Sequence, residues 1–186
     1  MKTVALCCAA MLLMPVRANL LVNGDFEQDL SVGWVQTKEG VGTQTISRAT
    51  NYDPDPDYEA RTYQYSGEGL TRLSQLVAVP GANVELRFNA KFQIGNGSLT
   101  CWPVASVCVE YLNAANNVLG MTFFYYHDQY CTWTNTPTQH LIEVTEPAWQ
   151  NYRLDVQAEL TVNLPGVNPA DVSKVRVALH CYTSSG

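Results

Sequence analysis

Asn19-Leu-Leu-Val-Asn-Gly-Asp-Phe-Glu27, followed by Gly33-Trp34, is the stretch on which the fold reading turns. Leu20, Leu21 and Val22 make a short apolar run that reads as an opening β-strand. Asn23-Gly24-Asp25 supplies the turn that ends it, since Asn and Gly tolerate the positive φ that other residues resist. Phe26, between the carboxylates of Asp25 and Glu27, is a candidate core residue.

What precedes this stretch has the pattern of an export leader. Lys2 gives the basic start, Val4 to Met14 is apolar, and Val16-Arg17-Ala18 ends in a small residue suited to signal peptidase. Cleavage is expected before Asn19, leaving residues 19–186 as one secreted domain. The apolar run is too short to span a bilayer, and no later segment approaches the roughly 20 apolar residues required. Cys7 and Cys8 read as apolar filler of the leader.

The whole chain of 186 residues carries a formal charge of −6, and loss of Lys2 and Arg17 with the leader lowers it to −8. An acidic chain without a basic cluster is poorly matched to nucleic-acid phosphates or anionic lipid. Four cysteines remain beyond the leader, Cys101, Cys108, Cys131 and Cys181, an even number in an oxidising compartment, which predicts one or two disulfides with three pairings open. No C-x-x-C pair occurs and His127, His140 and His180 are scattered, which disfavours zinc.

Downstream, the apolar period is two almost everywhere. Val84, Leu86, Phe88, Ala90 and Phe92 alternate with Glu85, Arg87, Asn89 and Lys91. Ala105 to Tyr111, Tyr152 to Ala158 and Val175 to Cys181 repeat the pattern, each with one core face and one polar face. Leu73 to Val79 makes a further strand that stops at Pro80-Gly81. Helices are nearly absent. Strands at this spacing predict an all-β fold, an antiparallel β-sandwich.

The opening stretch resembles the start of the jelly-roll carbohydrate-binding modules of the family 4, 9 and 22 type, whose first strand commonly reads N-L-L-x-N-G-D-F-E and is followed by a core Trp. Leu73-Ser-Gln-Leu-Val-Ala-Val-Pro-Gly81 is similar to the modules' L-S-Q-x-V-x-V-x-x-G turn. Val107 to Gly120, Trp149-Gln-Asn-Tyr152 and Lys174 to Leu179 resemble later strands in the same order. The resemblance implies an antiparallel jelly roll, with Trp34 and Trp149 in the core, that binds polysaccharide of the glucan or xylan type without catalysis. It also implies a structural calcium bridging the first turn and acidic residues near the end, with Asp25 and Glu27 as half of its ligands. In the alternative, Asp25 completes a turn and Glu27 is solvated. The modules finish with a closing strand after a Ser-Gly-rich turn, where this sequence stops at Gly186. Either a truncated domain is therefore expected, with a fused or associated glycoside hydrolase as a candidate partner beyond Gly186, or Leu20 to Glu27 are left pairing with an open edge.

Sugar recognition needs flat apolar faces for pyranose C–H groups and polar side chains for hydroxyls. The densest aromatic region runs from Thr122 to Trp133. Tyr126, Tyr130 and Trp133 lie beyond its alternating part and, with Trp102, are the aromatic ligand candidates. Arg87, Asn89, Gln93 and Gln75 are the polar ones. A Cys101–Cys131 disulfide would tie the two aromatic loops together. The acidic loop Asn51 to Glu59, with Pro at alternate positions, reads as solvated. No G-x-S-x-G, H-E-x-x-H or phosphate loop is present, and adjacent His127 and Asp128 would point to opposite faces of a strand. A noncatalytic binding module is the expectation. A cell-surface adhesion or structural domain is the rival, and a polysaccharide lyase or hydrolase the enzyme alternative.

Overall fold

The computed structural model describes residues 19–51 and 57–184; the leader at 1–18, the middle of the acidic loop at 52–56 and the last two residues lie outside them. Ten strands and one short α-helix follow in the order β1 (Val35–Gly40), β2 (Thr43–Ala49), β3 (Glu59–Tyr65), β4 (Gly69–Ala78), β5 (Glu85–Ala90), β6 (Pro103–Leu112), β7 (Val118–His127), β8 (Gln139–Glu143), β9 (Gln150–Asp155), α1 (Val156–Val162) and β10 (Lys174–Thr183). The all-β class expected from the period-two alternation is what the chain adopts.

Six strands form the main sheet in the order β1-β4-β10-β6-β7-β8, and two ribbons, β2-β3 and β5-β9, cover one of its faces. Every pairing is antiparallel except β7 with β8, which is parallel, so the sandwich departs from the purely antiparallel expectation at that edge. The inner face carries Val107, Val109, Tyr111, Phe124, Val175 and Val177, which pack against Leu86 and Leu154 of the β5-β9 ribbon. Phe88 meets Phe124 edge-on at 5.1 Å and stacks on Tyr152 at 5.0 Å. At the other end, Leu73 and Leu179 meet Ile46 and Ala60 of β2-β3. Each such side chain withdrawn from water contributes about 1.5–3 kcal/mol before entropy is counted.

The strand expected to run from Tyr152 to Ala158 ends at Asp155. Val156 and Ala158 continue the alternation, but Gln157, Glu159 and Leu160 favour helix, and the Asp155 carboxylate caps α1 by accepting from Ala158 N at 3.0 Å. Val156 and Leu160, one helical turn apart, are both buried. Between them α1 also buries Glu159. The Thr122 hydroxyl (2.7 Å) and His140 Nδ1 (2.6 Å) donate to its Oε1, and Asn163 Nδ2 donates to its Oε2 at 2.7 Å. Tyr111 OH, 2.8 Å from Thr122, completes the chain as donor. This polar network fastens α1 to β6, β7 and β8.

The opening stretch is where the sequence expectation fails. Residues 22–25 form turns, and no strand is present from Asn19 to Glu27. The side-chain amide of Gln75 acts in place of a neighbouring strand: its Oε1 accepts from Val22 N at 2.7 Å and its Nε2 donates to Val22 O at 2.8 Å. Asn23, at φ 50°, turns the chain and is buried. Its Nδ2 donates to the carbonyls of Gln28 (3.1 Å) and Asp29 (3.2 Å), and its Oδ1 accepts from Gln28 N at 2.9 Å. Trp34 lies in the core as expected, its indole N–H donating to Asn23 O at 2.9 Å and its ring 5.1 Å from Phe26. The stretch is a plug against β4, held by side chains, and does not complete the sheet.

Candidate functional site

The outer face of the six-stranded sheet is not covered by either ribbon, and strand register fixes what it displays. One row across the sheet reads Val35, Ser74, Ala178, Cys108, Phe123, Leu141. The next row reads Thr37, Arg72, His180, Ser106, Tyr125, Glu143. Tyr182, Val104 and His127 flank these rows on one side, and Leu76, Arg176, Glu110 and Met121 on the other. Small residues in the middle, Ser74, Ala178, Ser106 and Cys108, are buried beneath taller neighbours. They make the floor of a shallow trough.

Aromatic rings wall one half of that trough. Trp133, on the loop between β7 and β8, lies with its ring 5.1 Å from Phe123, 5.9 Å from Tyr182 and 6.2 Å from Trp102. Trp133 and Trp102 both stay half-buried. The Trp133 loop is braced: Leu141 N donates to Asn135 Oδ1 at 2.7 Å, and Gln139 Nε2 to Thr134 O at 3.0 Å. Trp102 is fastened to the end of β10, its N–H donating to Ser184 Oγ at 2.9 Å. The rings are thus preorganised by hydrogen bonds made away from their faces.

Charged groups line the other half. The buried Glu110 carboxylate accepts from Arg72 Nη2 at 2.6 Å and from Arg176 Nη1 at 2.5 Å. Ser106 Oγ lies 3.0 Å from His180 Nδ1. Burial and the Arg72 guanidinium push the His180 imidazole down to about 3. It is neutral near pH 7. Burial pushes the Cys108 thiol well up, beyond the reach of nucleophilic use.

The His180 shift has a sign that can be measured. An unfolded histidine titrates near 6.5, so between about 3 and 6.5 the unfolded chain binds a proton that the folded chain refuses. Stability therefore falls as the pH drops below about 6.5. His180→Gln should flatten this acid limb in urea titrations at stepped pH, and an unchanged slope would contradict the assignment.

The expected ligand residues are divided by the fold. Trp102 and Trp133 come together on the outer face, with half-buried Tyr130 at the near end of the same loop, where its N–H donates to Asp128 Oδ1 at 3.0 Å. Tyr126 belongs to the inner face, packed against the main core. Gln75 is occupied by Val22, as described above. Arg87 and Asn89 project from the far side of the β5-β9 ribbon, opposite Asn151 and Arg153, around an open cleft of about 530 Å³. There both guanidiniums are engaged by Glu85, and the nearest rings, Phe88 and Tyr152, stack on each other towards the core. Gln93 is exposed beyond β5. No single ligand face can gather Arg87, Asn89 and the tryptophans.

The Cys101–Cys131 bridge is not formed. All four described cysteines are free thiols, and hydrogen bonds brace the loops instead. Asp25 Oδ1 accepts from Glu27 N at 3.4 Å, and Glu27 Oε1 accepts from Tyr58 N at 2.9 Å. Among the described residues no group of three or more His, Cys, Asp or Glu side chains converges.

Glu110, Arg176 and His180 were legible as the polar sides of two strands; Arg72 and Tyr182 were not singled out. What the sequence did not provide was the register that sets β10 between β4 and β6.

No family model matches this chain, and no curated protein matches it. Among solved structures it is similar to the enzymatically active domain of tailspike protein 4 of bacteriophage CBA120, with a TM-score of 0.53 and 15% identity over 90% of this chain and 20% of that one. The chain thus spans about a fifth of the length of that solved domain, and the likeness is one of fold. It also aligns with the family 11 carbohydrate-binding module of the cellulosomal cellulase Lic26A-Cel5E of Clostridium thermocellum, with a TM-score of 0.36 and 10% identity over 90% of this chain and 91% of that one. That superposition is too loose to bear on function.

Proposed function

We propose that this chain is a secreted, noncatalytic module that binds polysaccharide of the glucan or xylan type on the outer face of its six-stranded sheet. One observation carries the reading: half-buried Trp102, Trp133 and Tyr182 stand beside Arg72, Glu110, Arg176 and His180 on the face of the sheet that neither ribbon covers. Aromatic rings give a sugar its apolar contact, and the charged row offers donors and acceptors for its hydroxyls. The leader-like pattern of the first 18 residues supports export.

Affinity electrophoresis against soluble β-glucans, xylans and mannans tests the reading. The wild type should be retarded on at least one polymer. Trp133→Ala should lose most of that retardation, about tenfold in affinity or more, as expected for a central ring. Trp102→Ala should lose less. Retardation on none of the polymers would favour a structural or adhesion role for the face. Unchanged retardation in both variants would remove the site.

A further inference from the structure

We propose that the glycan taken by this face is acidic, its uronic-acid carboxylate docking against the Arg72 and Arg176 guanidiniums. The inference rests on the glycan-binding reading above and names the class of sugar. Two guanidiniums share one carboxylate, Glu110, and each uses one nitrogen on it. Arg72 Nε is buried with no partner, a costly state for a charged donor unless something else completes it. The imidazole beside it is neutral, so the cluster of two guanidiniums and one carboxylate keeps one positive charge.

Other charges facing the trough do not cancel it. Lys174, beyond Arg176, is tied to Ala114 O at 3.0 Å and Asn116 Oδ1 at 2.6 Å. Glu143 is exposed on the edge strand β8, three strands from Arg176 and four from Arg72, where solvent screens it. Glu39 and Glu68 gather at the Tyr182 end. The chain as a whole is acidic, so it would not collect polyanions by long-range attraction. Selection must come from contact. A guanidinium fork offers paired N–H groups to a planar carboxylate, a match that a neutral hydroxyl cannot reproduce. The trough seats the pair beside the aromatic wall, so a sugar ring resting on Trp133 or Tyr182 presents its substituents towards the arginines.

Calorimetry with two matched ligands tests this: xylo-oligosaccharides bearing glucuronate branches, and the same oligosaccharides with their carboxylates reduced to alcohols. The charged form should bind about tenfold tighter or more, the scale of one charge-assisted hydrogen bond. Arg176→Gln should erase that difference. Glu110→Gln, which releases both guanidiniums, should raise affinity for the charged form several-fold, a gain that misfolding would not produce. Equal binding of the two oligosaccharides by the wild type would overturn the acidic assignment and leave the glycan-binding reading intact. Binding of neither would overturn both, and loss of affinity in both variants would overturn the arginine docking.

Discussion

Glu159→Ala should lower the stability of the domain by about 3 kcal/mol, the upper end of the cost of leaving buried donors without their acceptor. Glu159 is buried on α1 and accepts from Thr122, His140 and Asn163, with Tyr111 donating into the same chain. Alanine would leave the buried Thr122 and Tyr111 hydroxyls without their acceptor, while His140 and the exposed Asn163 can turn to water. Glu159→Gln should cost roughly half as much, because the amide oxygen keeps one acceptor while its NH2 confronts another donor. Urea unfolding followed by tryptophan fluorescence measures both. A loss below about 1 kcal/mol for the alanine variant, the scale of one ordinary hydrogen bond, would mean that water enters and takes over the network.

Asn23→Ala should cost about 3 kcal/mol through two separable effects. Its side chain donates to Gln28 O and Asp29 O and accepts from Gln28 N, each bond contributing about 1 kcal/mol or less. Its φ of 50° adds a penalty of about 1 kcal/mol for a residue with a Cβ and no local hydrogen bond. Asn23→Gly separates the two, since glycine keeps the backbone freedom and loses the side-chain bonds. The glycine variant should fall between wild type and alanine. Identical losses in both would assign the whole effect to hydrogen bonding. Because Trp34 donates to Asn23 O, its fluorescence should report the loosening directly.

Sequence alternation was enough for the strands that became β4, β5, β6, β7, β9 and β10, and for which side of β5, β6, β9 and β10 faces the core. It worked where one face is apolar and the other polar. It did not reveal β1, β2, β3 and β8, short strands whose polar and apolar residues alternate weakly, as in Val35-Gln-Thr-Lys-Glu-Gly40. Asn19 to Glu27 misled for a specific reason: an apolar triplet ended by Asn-Gly is as good an opening for a side-chain-pinned turn as for a strand, and only the distant Gln75 decides between them. The site was half visible. Trp102 and Trp133 stood out by type and by their loops, whereas Arg72, Glu110 and Arg176 look like ordinary solvent-side charges until three strands are set side by side. Register across such separations is not written in any local pattern.

The central position of β10 bears on how the molecule assembles. It pairs along its whole length with β4, roughly a hundred residues earlier, and with β6, so the two halves of the main sheet meet only through it. Until residues 174–183 are in place, the long strands β4 and β6 each present an open hydrogen-bonding edge, the kind that recruits wrong partners. Folding should therefore be slow for a chain of this size and governed by one late closure. Charged residues that line the trough, Arg72 on β4, Glu110 on β6 and Arg176 on β10, come together at that same event. Assembly of the sheet and assembly of its outer face are a single step.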